Sequence, residues 1–177
     1  DAGKFIRILL EKDIKPSDIM TAKAFENAIR TIIVLGGSTN AVLHLIAMAK
    51  SVGVKLMQDD FQEISNRIPV LADFKPSGKY LMEDYYYAGG LPVILHELRK
   101  ELHENVITVT GKNHHENIQG STDCYNSDVI ATMDQPLIAE AGCVVVKGNL
   151  ALNGAVIKPS AASPALMQHT GRAVVFE

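Results

Sequence analysis

Read along the chain, apolar positions recur first at helical spacing and only later at strand spacing. Phe5, Ile6, Ile8, Leu9 and Leu10 form an apolar helical run near the start. Pro16 sets an extended residue before it, Ser17 or Asp18 can cap the next helix, and Ile19, Ala22, Phe25, Ala28 and Ile32 predict that this helix faces a core. Gly36-Gly37 should end it, and Ser38, Thr39 or Asn40 should open another. That second helix runs through Ala41–Ala49 with almost no polar side, so burial nearly all round is expected. Asp59-Asp60 can cap a shorter helix over Phe61, Ile64 and Ile68, and residues 69–72 suit a buried strand or an extended link.

Turn chemistry then interrupts. Lys75-Pro-Ser-Gly78 is a turn, residues 79–87 crowd aromatics with acids, and Ala88-Gly-Gly90 breaks the chain again. Pro92 suits the first turn of a helix whose inner stripe is Leu91, Ile94, Leu95, Leu98 and Leu102. Val106–Thr110 is β-branched, residues 113–128 show no period, and a boundary falls near Asp128 to Asp134. Beyond it, short β-rich runs at residues 143–147, 150–152 and 155–157 alternate with turns at Gly148-Asn149 and Asn153-Gly154. About forty-five residues are too few for an all-β domain with its own core, so they predict the start of one.

Composition narrows the function. Of 177 residues 47% are hydrophobic and 21% charged, which excludes a disordered or low-complexity chain. Seventeen Lys+Arg against twenty Asp+Glu give a net charge of -3, so no basic field exists to hold nucleic acid or an anionic membrane. The apolar runs fall well short of the ~20 residues of a membrane span. Two cysteines, Cys124 and Cys143, make neither a disulfide framework nor a metal set by spacing, which predicts a reducing, cytoplasmic setting. Asp1-Ala-Gly-Lys4 carries no initiator Met or leader pattern, and the last residues, Arg172–Glu177, read as a strand without a turn, so an internal segment of a larger protein is expected.

Candidate chemistry is sparse. At Ser38, Thr39 and Asn40 free backbone N–H groups, hydroxyls and an amide gather where an anion could bind, although a plain helix cap explains the same residues. His44 follows Asn40 by one turn on the same face, where a core histidine is the bland alternative. Lys79 and Tyr80 sit in a loop of the kind that lines sites, yet Lys79 also pairs with Glu83 as a solvated helix face would. His103, His114, His115 and Cys124 lack zinc spacing. Thr108–Lys112 lacks the first glycine of a phosphate loop, since Val106 stands there, and Asn113 replaces its Ser or Thr.

Several blocks in order carry more information than these patterns. Gly36–Leu45, Lys75–Asp84 with Tyr86–Pro92, Thr108–Lys112 with Glu116-Asn117, and Gly148–Lys158 resemble the dihydroxy-acid and phosphogluconate dehydratase family over essentially the whole chain. Pro159–Pro164 and His169–Glu177 look most like its aldonic-acid branch, the arabinonate and xylonate dehydratases. The resemblance implies an α/β fold, with residues 1–128 ending a helix-rich α/β domain and residues 129–177 starting a β-barrel-like one. It also implies a homo-oligomeric lyase that dehydrates a small 2,3-dihydroxy acid to a 2-oxo acid, using an iron–sulfur cluster as Lewis acid, Mg²⁺ and a serine base. Ligands for both cofactors would lie outside this chain, in the remainder of the parent protein, and the chain alone would be inactive. Within it the resemblance assigns pocket-lining roles to Ser38, Thr39, Asn40 and His44, then to Lys79 and Tyr80. A non-catalytic binding or assembly module on the same scaffold is the competing expectation.

Overall fold

The computed structural model describes residues 2–120, 123–139 and 142–176. Helix α1 spans Ala2–Glu11. The helix expected after Pro16 is two pieces: a single turn, α2 (Pro16–Ile19), and α3 (Ala22–Val34). Thr21 separates them, because its hydroxyl accepts the Ala24 N–H at 3.3 Å and so caps α3. The buried stripe of α3 is Phe25, Ile29 and Ile33, with Val34, rather than Phe25, Ala28 and Ile32. Residues four apart stack on one face, and that row meets α5 and α7 while Ile32 turns toward a groove.

Helix α4 (Thr39–Ser51) corrects a second expectation. Only Val42 and Ala49 are buried, while Leu43 is 63% and Met48 46% exposed. Apolar composition allows burial all round, but α3, α5 and the second strand, β2 (Ala151–Ile157), supply its main contacts. Asp60, not Asp59, caps α5 (Gln58–Ser65), its carboxylate accepting the Met57 N–H at 2.7 Å. Phe61 and Ile64 of α5 lie in the core.

Residues 70–72 form the extended link that the sequence allowed. The Leu71 N–H donates to the Val34 carbonyl at 2.8 Å, the Ala131 N–H to the Leu71 carbonyl at 2.8 Å, and the Val70 N–H to the Ile138 carbonyl at 2.9 Å. Just past the change in sequence character near Asp128, Val129 and Ile130, 0% and 1% exposed, share the core of the helices.

Helix α6 (Met82–Tyr87) leads through Gly89 to α7 (Gly90–Glu97), which a 3₁₀ turn at Leu98–Lys100 extends. Gly89 is required there: its φ is 116°, and a Cβ would strike the Val93 side chain. Val93, Ile94, Leu98 and Leu102 are buried, whereas Leu91, expected inside, is 44% exposed. Within the stretch that shows no period, Asn113 and Glu116 cap α8 (His114–Asn117) reciprocally at 2.8 Å each way; four residues are too few to display a period.

The segment after Lys100 is pinned to α3. The Asn27 side chain accepts the His103 N–H at 2.8 Å and donates to its carbonyl at 3.0 Å, while the His103 ring meets Glu26 at 2.6 Å. The His103 hydrogen bond, partly opposed by burial and aided by Arg30, holds the Glu26 carboxyl below its ordinary value of 4.5. A depressed carboxyl stabilises above its unfolded value, and that contribution is lost as pH falls through the folded value. Acid unfolding followed by circular dichroism should therefore be less steep below pH 4.5 in Glu26→Gln than in the native chain.

Strands β1 (Val144–Gly148) and β2 pair antiparallel, with Val144 opposite Ile157 and Gly148 opposite Ala151. The turn is Asn149-Leu150, and Asn153-Gly154, expected as a second turn, lies inside β2 with Gly154 at φ 98°. Arg172–Phe176, expected as a strand, joins none. The observed class is helix-rich with a small two-stranded antiparallel sheet at the end.

Candidate functional site

Four stretches of chain meet at one cleft of about 210 Å³, three of them lending polar groups and the fourth, Leu137-Ile138, apolar ones. The first is the junction of α3 and α4. Gly36, at φ 60°, donates its N–H to the Ile33 carbonyl and Gly37 to that of Ile32, both at 2.8 Å, which closes α3. The Ser38 hydroxyl then accepts the Asn40 N–H at 3.2 Å and caps α4. Ser38→Ala should lower stability by about 1 kcal/mol in thermal or urea denaturation, the usual cost of a lost N-cap.

The second segment is the turn at residues 73–80. Asp73 closes it: its carboxylate accepts the Lys79 N–H at 3.0 Å and its carbonyl the Tyr80 N–H at 3.2 Å. Gly78 has no room for a Cβ, which would strike that carboxylate and the Phe74 backbone. The third segment follows β2. Lys158 Nζ donates to the Gly36 carbonyl, and Ser160 reaches the cleft. Gly36, Asp73, Ser77, Gly78 and Ser160 form the polar wall, against an apolar wall that includes Val70 and Ile138. Burial pushes the Lys158 ammonium below its usual range and the Cys143 thiol above its own.

None of the six residues proposed from sequence lines this cleft. Ser38, Thr39 and Asn40 follow Gly36, and Lys79 and Tyr80 follow Gly78. Asn40 and His44 are exposed on α4, and no described hydrogen bond uses either side chain. Tyr80 is half-buried against the core and Lys79 is exposed. Asp73, Ser77 and Ser160, which do line the cleft, were not singled out from sequence. A sequence signal existed: Lys75-Pro-Ser77 and Lys158-Pro-Ser160 are the same tripeptide, and each lends its serine to the cleft.

Residues 1–117 match the dihydroxy-acid/6-phosphogluconate dehydratase N-terminal domain, and residues 128–177 match the corresponding C-terminal domain. The chain belongs to this dehydratase family. It is 49% identical over 177 residues to an L-arabinonate dehydratase of Rhizobium leguminosarum bv. trifolii, covering 99% of this chain and 30% of that protein. It is 51% identical over 176 residues to a dihydroxy-acid dehydratase of Lactococcus lactis subsp. cremoris (strain SK11), covering 97% of this chain and 31% of the relative. With the Flavobacterium psychrophilum dihydroxy-acid dehydratase it shares 55% identity over 163 residues, 90% of this chain and 29% of that one. The chain thus spans about 30% of the length of these dehydratases.

Among the described residues of this dehydratase-family chain, no three His, Cys, Asp or Glu side chains converge. Cys124 is exposed and directs its thiol to the Ile130 carbonyl at 3.5 Å, whereas Cys143 is buried next to Ser65. His103 and His115 have their own partners in Glu26 and Gln119, and His114 lies in an apolar groove beside α3 and α7. No helix among the described residues is long and apolar enough to cross a membrane.

Proposed function

We propose that this chain forms one wall of the substrate cleft in a hydro-lyase acting on 2,3-dihydroxy carboxylic acids, either aldonic acids or the 2,3-dihydroxyisovalerate type. Such an enzyme removes the 3-hydroxyl and the C2 proton as water, and the resulting enol tautomerises to the 2-oxo acid. The carrying observation is that two of the family-like blocks, at Gly36 and at Ser77-Gly78, meet at a cleft whose wall mixes a carboxylate, hydroxyls and backbone groups. That mixture suits a small molecule bearing both hydroxyl donors and anionic acceptors. The chain's part is to bind and orient; Asn40 at the start of α4, with Ser38, Thr39, His44, Lys79 and Tyr80, would border the same substrate.

The iron–sulfur cluster and Mg²⁺ expected of the whole enzyme would be held by the remainder of the parent chain, and among the described residues no three His, Cys, Asp or Glu side chains converge to hold a metal. The hairpin β1–β2 would begin a β-barrel-like domain completed by the remainder of the parent chain. A homo-oligomer in the cytoplasm agrees with the family resemblance, and two unpaired thiols suit a reducing compartment.

A segment exchange tests this. The matching stretch of the Rhizobium L-arabinonate dehydratase is replaced by this chain, and 2-oxo acid formation from L-arabinonate and from 2,3-dihydroxyisovalerate is measured. Turnover of either is expected. A folded exchange protein that turns over neither overturns the proposal in favour of a non-catalytic binding or assembly module.

A further inference from the structure

A second cleft, of about 170 Å³, opens between α3 and α5 and shares no lining residue with the first. Its apolar lining includes Phe25, Leu56 and Ile64, all buried. Arg30 lines it too, and that side chain is only 12% exposed, against 84% for Arg7 and 62% for Arg67. A guanidinium so withdrawn from water needs its five N–H donors met. Its one described partner is Glu26: Nη1 and Nη2 both lie 3.4 Å from the same oxygen, Oε2, which the His103 ring approaches to 2.6 Å. The two-oxygen fork that a guanidinium fits best is therefore not made, and the shared oxygen serves His103 first. Lys55, also on the lining, is exposed, and no described hydrogen bond or ion pair uses its ammonium. The other carboxylates there are committed, Glu63 to Arg67 at 3.2 Å and Asp60 to the Met57 N–H at 2.7 Å. The opening equals roughly six waters at ~30 Å³ each, enough for a short-chain acid.

We propose that the cleft between α3 and α5 binds a short-chain aliphatic monocarboxylic acid, its carboxylate forked onto Arg30 and its alkyl chain laid against Phe25, Leu56 and Ile64. Lys55 adds a second positive charge. The lining sets the selectivity. Apolar surface rewards each methylene of the ligand, so butyrate outbinds acetate. Glu26, Asp60 and Glu63 repel a second negative charge, so dicarboxylates and inorganic phosphate are rejected. The ligand replaces the long contact from Glu26 and leaves that carboxylate to His103. This site is independent of the dehydratase proposal and lies outside its cleft. An i,i+4 pair between Glu26 and Arg30 that serves only the helix is the competing reading, and it requires no ligand.

Butyrate, acetate, succinate and inorganic phosphate are titrated into the 177-residue chain, with the backbone amides of Glu26, Arg30, Lys55 and Leu56 followed by NMR and folding checked by circular dichroism. Butyrate should shift those four amides and bind about tenfold more tightly than acetate, and more tightly than succinate or phosphate. Arg30→Met, which keeps the apolar stem, should weaken butyrate by about tenfold or more. Arg30→Lys keeps the charge without the fork and should fall between the two. Lys55→Ala, at an exposed position that leaves the fold alone, should weaken it by about threefold. A folded native chain that ignores butyrate, acetate, succinate or phosphate bound as tightly as butyrate, or unchanged binding in folded Arg30→Met overturns the proposal. Should Arg30→Met fail to fold, Lys55→Ala decides, and unchanged butyrate binding there overturns the proposal as well. The segment exchange interrogates a different cleft, so the two readings fail separately.

Discussion

Phe61→Ala should destabilise the fold by about 3–5 kcal/mol, the range for removing a buried aromatic ring. Phe61 is 1% exposed on α5, the helix that packs against α3, α4 and β1, so the cavity would open between the helices and the hairpin. Since a domain of this size has about 5–15 kcal/mol in hand, the variant would lose a large share of its stability. Urea denaturation should show a lower midpoint at an unchanged slope. Leu43→Ala, at a position 63% exposed on α4, should stay within about 0.5 kcal/mol. Equal losses at the two positions would contradict a core centred on α5.

Asn40→Ala separates substrate binding from capping in the exchange protein. Ser38 holds the cap of α4, and no described hydrogen bond uses the Asn40 side chain. The cost of a lost cap therefore belongs to Ser38, and Asn40→Ala should leave the melting transition within about 0.5 kcal/mol of the parent. If Asn40 donates to an anionic substrate, kcat/KM should fall by tenfold or more, as expected for a charge-assisted hydrogen bond of about 1.5–3 kcal/mol. Unchanged kinetics would remove Asn40 from the site, and a lowered melting point would show that it supports the helix after all.

Features set by a few neighbouring residues were legible in the sequence. The break at Gly36-Gly37, the opening of α4 within Ser38 to Asn40, which the structure places at Ser38, and the turn at Lys75–Gly78 follow from backbone freedom and local hydrogen bonding. Features set by partners were not. The apolar run of α4 says nothing about which side a neighbour will cover, so Leu43 and Met48 stay exposed against expectation. Asn153-Gly154 has turn chemistry but lies inside β2 where the register shifts between Val146 and Gly148, and Gln58 fills the space a Cβ at Gly154 would need. Lys158 acquires its meaning from Gly36, 122 residues earlier, a relation that no local window contains.

The hydrogen bonds at Leu71 have a consequence for how such chains can be recombined. The two family matches end at residue 117 and begin at residue 128, as though the chain were two exchangeable cassettes. Cohesion is drawn differently: Leu71 is fastened on one side to Val34 and on the other to Ala131, and Ile130 fills the interior behind them. A recombination joint at residue 128 would cut through that mortise and strip the helices of part of their own filling. A chimera joined at residue 128 should therefore melt below one joined after residue 138, which keeps the Leu71–Ala131 and Val70–Ile138 hydrogen bonds with the helices.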